Sequence, residues 1–216
     1  MLVGTNEVFQ VKTIIVLEMK LSTKEREETI EKQLTELKQL RQNEIGQLEQ
    51  WTGMECQEIL FDSTIDNWIE GSSVLNEMIM EKKHLLFLIE DTDGERFGYY
   101  LNTPVYSLFN ERCSTDEKSF HFNLQFENGG LPKPVKFEVK DCQFGGIQLY
   151  NENHPLLISL GNLWIFKQTN KMKSYCLQQN DFNYNGIDNA LCRKSGKNDP
   201  FEPKQILVIQ MMKSFN

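Results

Sequence analysis

Histidine is scarce in this chain: His84, His121 and His154 are the three in 216 residues. Neither an H-E-x-x-H nor a C-x-x-C spacing occurs, which removes the usual zinc patterns. There is no G-x-S-x-G nucleophile elbow either. Positive charge is in deficit, with 23 basic against 31 acidic side chains and a net charge of −8. An acidic chain repels phosphate backbones, so nucleic acid is excluded as a main partner. The excess is uneven: residues 51–110 hold 3 basic and 11 acidic side chains, whereas 171–216 hold 7 and 4. No run approaches the roughly 18 apolar residues of a membrane span. Met1 to Phe9 carries Asn6 and Glu7 where an apolar signal core would stand, so no signal peptide is expected. Glycine and proline are not enriched, which gives no sign of a long disordered tail.

The five cysteines (Cys56, Cys113, Cys142, Cys176, Cys192) are scattered and odd in number. Reduced thiols in a reducing compartment are expected. A reactive thiolate needs a basic neighbourhood. Cys192 precedes Arg193 and Lys194, and Cys113 follows Arg112. These are the only starting points for a thiol enzyme; buried or incidental thiols are the plainer account.

What the chain does have is aromatic and apolar residues in strand-like patterns. Hydrophobic residues make up 39% of it, with 14 Phe. His84 to Ile89 is an apolar run, Asp93-Gly94 reads as a two-residue type I′ turn, and Phe97 to Leu101 follows. Ser119–Phe126 alternates Phe120, Phe122, Leu124 and Phe126 with polar residues. Glu58–Phe61, Val135–Val139, Gly146–Tyr150, Leu156–Leu160, Leu163–Lys167 and Ile206–Met211 read as further strands. A helix is expected over Ser73–Lys83, capped by Ser72 or Ser73, with Leu75, Met78 and Ile79 on its apolar side. Asn102 to Lys118 reads as a loop. The pattern predicts a β-dominated α+β fold, a two-sheet antiparallel sandwich flanked by helices.

The first fifty residues read as a separate segment, 1–50, ahead of a domain over 51–216. Val8 to Met19 fits a strand or the start of a helix. From Ser22 the helix signal is clear: Ser22 and Glu25 form a capping box, and the run to about Gln50 has no Pro and one Gly. Ile30, Leu34, Leu37, Ile45 and Leu48 form one apolar stripe. With Leu34 and Leu37 as heptad a and d, the next seam positions are Arg41 and Glu44, and the seam resumes at Leu48 and Trp51. The expectation is a short coiled-coil helix, exposed and partner-binding, able to pair with a second copy. The other reading is an amphipathic helix docked on its own domain.

Asp91-Thr92-Asp93-Gly94 resembles the start of a calcium loop, but the sixth and twelfth positions are Arg96 and Asn102 rather than Gly and Glu. Gly145-Gly146 lacks the Lys-Ser/Thr of a phosphate loop and is expected to allow a bulge or close backbone approach. No metal, cofactor or catalytic residue is expected.

Taken in order, these blocks resemble a TLDc domain, the module of the oxidation-resistance proteins, over about residues 50–213. Leu60-Phe61-Asp62-Ser63 looks like the family's opening strand. Leu85 to Tyr100, with Asp93, Gly94, Phe97 and Gly98, is similar to its "DtdGxvFGay" hairpin. Ser119-Phe120-His121-Phe122 resembles its "tFLF" strand, and Phe144-Gly145-Gly146 its "fGGG". Ser174-Tyr175-Cys176 is similar to its "gxSxxC" turn, and Pro200 to Met211 to its closing strand. The chain departs from the pattern at Lys118 or Glu117, where the family has a glutamate before "tFLF". It departs again at Ile147 for the third glycine and near Gln210 or Met211 for the closing tryptophan. The resemblance implies a β-sandwich without an accepted catalytic mechanism or cofactor. It implies a non-enzymatic interaction or regulatory role in oxidative-stress protection, a protein partner in the cytosolic sector of the vacuolar proton ATPase, and a cytoplasmic location. The alternative is a thiol-dependent antioxidant enzyme.

Overall fold

The apolar run ending at Ile89 is continuous rather than alternating, and the fold explains it. A strand buried on one face alternates; a strand buried on both does not. The computed structural model describes residues 23–40, 42–106, 111–125, 134–178, 181–187, 190–192 and 200–213. In it, β2 (Leu85–Asp91) is buried along its whole length. Leu85, Phe87 and Ile89 face one core, and Leu86 and Leu88 face another.

The architecture is the expected β-dominated α+β sandwich. One sheet has six strands in the order β1-β11-β2-β3-β5-β6: β1 (Glu55–Asp62), β11 (Pro203–Met212), β2, β3 (Arg96–Leu101), β5 (Phe120–Gln125) and β6 (Val135–Glu138). The second has five in the order β10-β9-β8-β7-β4: β10 (Tyr175–Cys176), β9 (Leu163–Phe166), β8 (Leu156–Leu160), β7 (Ile147–Leu149) and β4 (Arg112–Cys113). All pairings are antiparallel. The core between the sheets contains Phe87, Phe97, Tyr99, Ile165 and Val208. The outer face of the six-stranded sheet carries Leu86, Leu88, Phe122, Leu207 and Ile209, and helices cover it.

Those helices are α1 (Thr23–Leu40) and α2 (Gln42–Thr52). Arg41, between them, lies outside the described residues. The helices correct two expectations. The boundary placed at residue 50 falls inside α2. The stripe is not exposed for a partner: Ile30, Ile45 and Leu48 are buried on the chain's own sheet, and Leu34 and Leu37 pack at its margin. The sheet's outer face is itself apolar, so burying the stripe there removes both surfaces from water at once. Two ion pairs fix the docking. The Arg26 guanidinium grips Asp66 through two bonds of 2.8 and 2.9 Å and also donates to the Leu60 carbonyl at 2.9 Å. Arg96 on β3 reaches Glu44 on α2 at 2.5 Å. The Glu49 carboxylate accepts the Cys56 N–H at 3.0 Å, joining α2 to β1. Ser22 and Val8 to Met19 lie outside the described residues, as does the loop at 128–132.

The hairpin stands, but its turn differs from the expectation. Leu85 pairs with Leu101 and Glu90 with Arg96. Gly94 has φ +82°, whereas Asp93 keeps a negative φ, so this is not a type I′ turn. Gly94 N–H donates to the Asp91 carbonyl at 3.1 Å, and the Asp91 N–H to the Glu95 carbonyl at 3.0 Å. The loop has three residues, a turn followed by a left-handed glycine. The Asp91 carboxylate selects it by accepting the N–H groups of Asp93 and Glu95, each at 2.9 Å. The I′ geometry occurs instead at Asn185-Gly186, with φ +53° and +71°.

Shorter corrections follow. The helix expected over Ser73–Lys83 is one turn, α3 (Leu75–Ile79). Its N-cap is Val74, without a side-chain bond, and Ser72 instead accepts from Asn67 at 3.0 Å. The expected loop over Asn102–Lys118 contains β4, and the expected turn at Ser174-Tyr175-Cys176 contains β10.

Two stability outcomes follow. Leu48→Ala is expected to cost about 2–5 kcal/mol in urea unfolding, because the cavity opens between helix and sheet. A cost below about 1 kcal/mol would show the helices undocked in solution. Gly94→Val is expected to cost about 1 kcal/mol or more, since a β-branched residue resists the left-handed region; an unchanged melting temperature counts against this turn.

Candidate functional site

The strand Phe120–Gln125 alternates, and a half-exposed strand would put its polar residues in water. Here the phenylalanines face the helix-covered side, and His121 and Asn123 point into the sandwich core, fully buried. Each is satisfied there. Asn123 Nδ2 donates to the Leu191 carbonyl at 2.7 Å. His121 Nε2 lies 2.9 Å from the Leu160 carbonyl, which can only accept, so that nitrogen carries the proton. Nδ1 then accepts from the Tyr184 hydroxyl at 3.1 Å. The ring stacks on Phe182 at 3.8 Å. Burial pushes the imidazole down to about 3, with the Leu160 bond opposing. His121 is a neutral joint between sheets, not an acid–base group near pH 7.

The resemblance-derived residues are similarly structural. Phe97 packs edge-on against Phe201 at 5.1 Å. Gly98 lies where any Cβ would meet the Phe87 carbonyl oxygen and the Phe122 ring. A Cβ on Gly145 would come within 2.8 Å of the Asp141 carbonyl oxygen. One on Gly146 would collide with the Cys113 carbonyl, so this pair allows close backbone approach as expected. Phe120 sits on the outer face against Tyr100 and Trp51, with ring centroids at 5.2 and 6.0 Å. Asp93 and Gly94 form the hairpin loop. Cys176 is buried beside Cys192.

None of the five cysteines is in a disulfide. The Cys56 thiol is pushed up to about 12, by burial first and then by Glu49. Contact with Cys176, then burial, raises the Cys192 thiol. Arg193 and Lys194 lie outside the described residues. Cys113 is half-buried and donates to the Tyr106 carbonyl at 2.6 Å. The guanidinium expected to activate it points elsewhere: Arg112 Nη1 donates to the carbonyls of Phe144 and Gly146, at 2.7 and 3.2 Å. These bonds gather two aromatics at β4, the edge strand of the five-stranded sheet. Tyr106 is 71% exposed and Phe144 53% exposed.

A groove of about 880 Å³ lies across one end of the six-stranded sheet's outer face. Trp51 and Met54, at the end of α2, form one wall. Tyr100, Phe120 and Met211 form an apolar floor. His84 borders it with φ +56°, a conformation costing about 1 kcal/mol or more. The backbone there is held by the Met211 N–H on the His84 carbonyl at 2.8 Å and by Gln210 Nε2 on the Lys83 carbonyl at 2.6 Å. The imidazole Nδ1 is 3.1 Å from Asn102 Oδ1 and 3.3 Å from the Tyr100 hydroxyl. Asn102 Nδ2 continues to Asp116 at 2.6 Å. Burial lowers the His84 pKa, and the Asn102 bond works against it. Sequence reasoning missed this groove, whose lining spans Trp51 to Lys213.

No protein-family model matches the chain, and comparison with the curated proteins finds no match. Among the described residues no helix is long and apolar enough to cross a membrane.

His121 gives the site its pH dependence. Between its ordinary 6.5 and about 3, the unfolded chain binds a proton there that the fold refuses. Stability is therefore full above that window and falls as the pH drops through it, by about 1.4 kcal/mol per unit. Urea unfolding at pH 5 is expected to give about 2 kcal/mol less than at pH 7 from this group alone. His84 and His154, also lowered by burial, act in the same direction. His121→Asn is expected to flatten the profile while lowering stability; an unaltered slope would mean the imidazole is not held neutral.

Proposed function

We propose that the chain is a non-enzymatic interaction and regulatory domain of the TLDc type. The observation that carries this reading is the use made of the groups capable of chemistry. His121 is committed to the Leu160 carbonyl and the Tyr184 hydroxyl, Cys56 and Cys192 are buried with raised pKa, and Arg112 serves backbone carbonyls. A thiol-dependent enzyme needs thiolate at neutral pH, which these environments oppose. The two-sheet sandwich also agrees with what the resemblance implies. Following it, the partner we assign is the cytosolic sector of the vacuolar proton ATPase, the location the cytoplasm, and the role oxidative-stress protection.

The contact we assign is the β4 edge. Tyr106 and Phe144 stand in water there, and exposed aromatics anchored on a rigid frame supply the energetic centre of many interfaces. Cys113 and Arg112 hold the backbone beneath them, which limits the ordering cost on binding.

The test is binding of the purified chain to the isolated cytosolic sector. Tyr106→Ala with Phe144→Ala is expected to weaken it by about 2 kcal/mol or more, with the melting temperature unchanged. No binding by the unaltered chain removes the ATPase as partner. Binding that survives the double substitution removes the edge as the contact. A cysteine that labels fast near neutral pH and is needed for peroxide turnover would favour the enzyme.

A further inference from the structure

We propose that the groove at the end of α2 binds a small amphipathic anion, one aromatic or acyl group carrying a single acid. Its volume of about 880 Å³ lies within the range of small-molecule sites. The apolar surface a ligand would meet comes from Trp51 and from Met212, which is 40% exposed, over a floor in which Tyr100, Phe120 and Met211 are buried; the methionine thioether is polarizable and adapts to irregular shapes. Trp51 stands edge-on to Phe120 at the wall.

The rim supplies the charge. Lys83 precedes β2, Lys118 precedes β5, and Lys213 follows β11, yet all three line this groove. Lys136 lies 5.3 Å above the Phe120 ring and pairs with Glu138 at 3.3 Å. The acids facing the site are accounted for. Glu138 is engaged by Lys136, Asp116 accepts from Asn102, and Glu117 alone stands beside Lys118. Four lysines against Glu117, Glu138 and the adjoining Asp116 leave the mouth with one net positive charge on a chain whose net charge is −8. That complementarity selects an anion over a neutral or cationic ligand.

The probe is 8-anilinonaphthalene-1-sulfonate, with uncharged N-phenyl-1-naphthylamine as its control, titrated against the full folded chain. The sulfonate is expected to bind saturably at one site, roughly tenfold tighter than the neutral control, and less tightly as salt is added. Trp51 emission is expected to be quenched, and that quenching to vanish in Trp51→Phe. Lys118→Glu with Lys213→Glu is expected to weaken binding by roughly tenfold or more. Both lysines are exposed, and a melting curve confirms the fold; if the pair melts early, Lys213→Glu alone serves with a smaller loss. Equal affinity for the neutral control, affinity unchanged by the lysine substitutions, or binding that leaves Trp51 emission unaltered would each overturn the assignment.

Discussion

The six-stranded sheet is apolar on both faces, and most of the structure is a response to that. One face is covered by the second sheet and the other by α1 and α2. A sheet with one dry face needs a single cover. β2 and β11 carry a continuous apolar run through the middle, so both covers are required. The helices supply the second. Their own propensity would leave two polar helices of this length marginal in water. Docking supplies the rest, and the ion pairs from Arg26 and Glu44 set where they dock.

Double coverage has a cost in polar groups. The chain must pass backbone carbonyls and side chains through a dry interior, and a buried polar group without a partner is expensive. The solution recurs. Single polar residues on strands reach across to carbonyls of the opposite layer: His121 to Leu160, Asn123 to Leu191, Tyr99 to Gly145. Each bond satisfies an acceptor and fixes the relative placement of two elements. Within one sheet, the Asp62 carboxylate at the end of β1 accepts from Thr64 at 2.8 Å and from Gln205 on the neighbouring β11 at 3.2 Å. Residues that look suited to catalysis when read singly become the joints between layers.

This explains which parts were legible in the sequence. The sandwich, the Leu85–Leu101 hairpin and most long strands follow from periodicity. Register and cover do not. The turn at Asp93-Gly94 departs from its sequence signal because the Asp91 carboxylate, two residues earlier, supplies bonds that favour a three-residue loop. β4 and β10 have two residues each, too few for any period to show. The stripe from Ile30 to Leu48 was readable as a stripe, but its partner was not. The clue lay elsewhere, in the unbroken apolar run of β2, which implied a second cover. The groove was unreadable in the sequence because its lysines and aromatics are drawn from Trp51 to Lys213 and meet only through strand order.

The groove and the covering helices are therefore one construction. Trp51 and Thr52 close the end of α2, and Trp51 stands over Phe120 on the sheet. The same contact that buries the helix forms the wall of the concavity. α2 stops at Thr52, whose hydroxyl bonds back to the Leu48 carbonyl at 2.9 Å, and Gly53 with φ +66° turns the chain into β1. Beyond that stop the groove runs over Tyr100, Phe120 and Met211, which remain buried beneath it. An element that protects the sheet also walls the groove beside it. The N-terminal helices are thus part of the surface the domain presents, and not a detachable arm beside it.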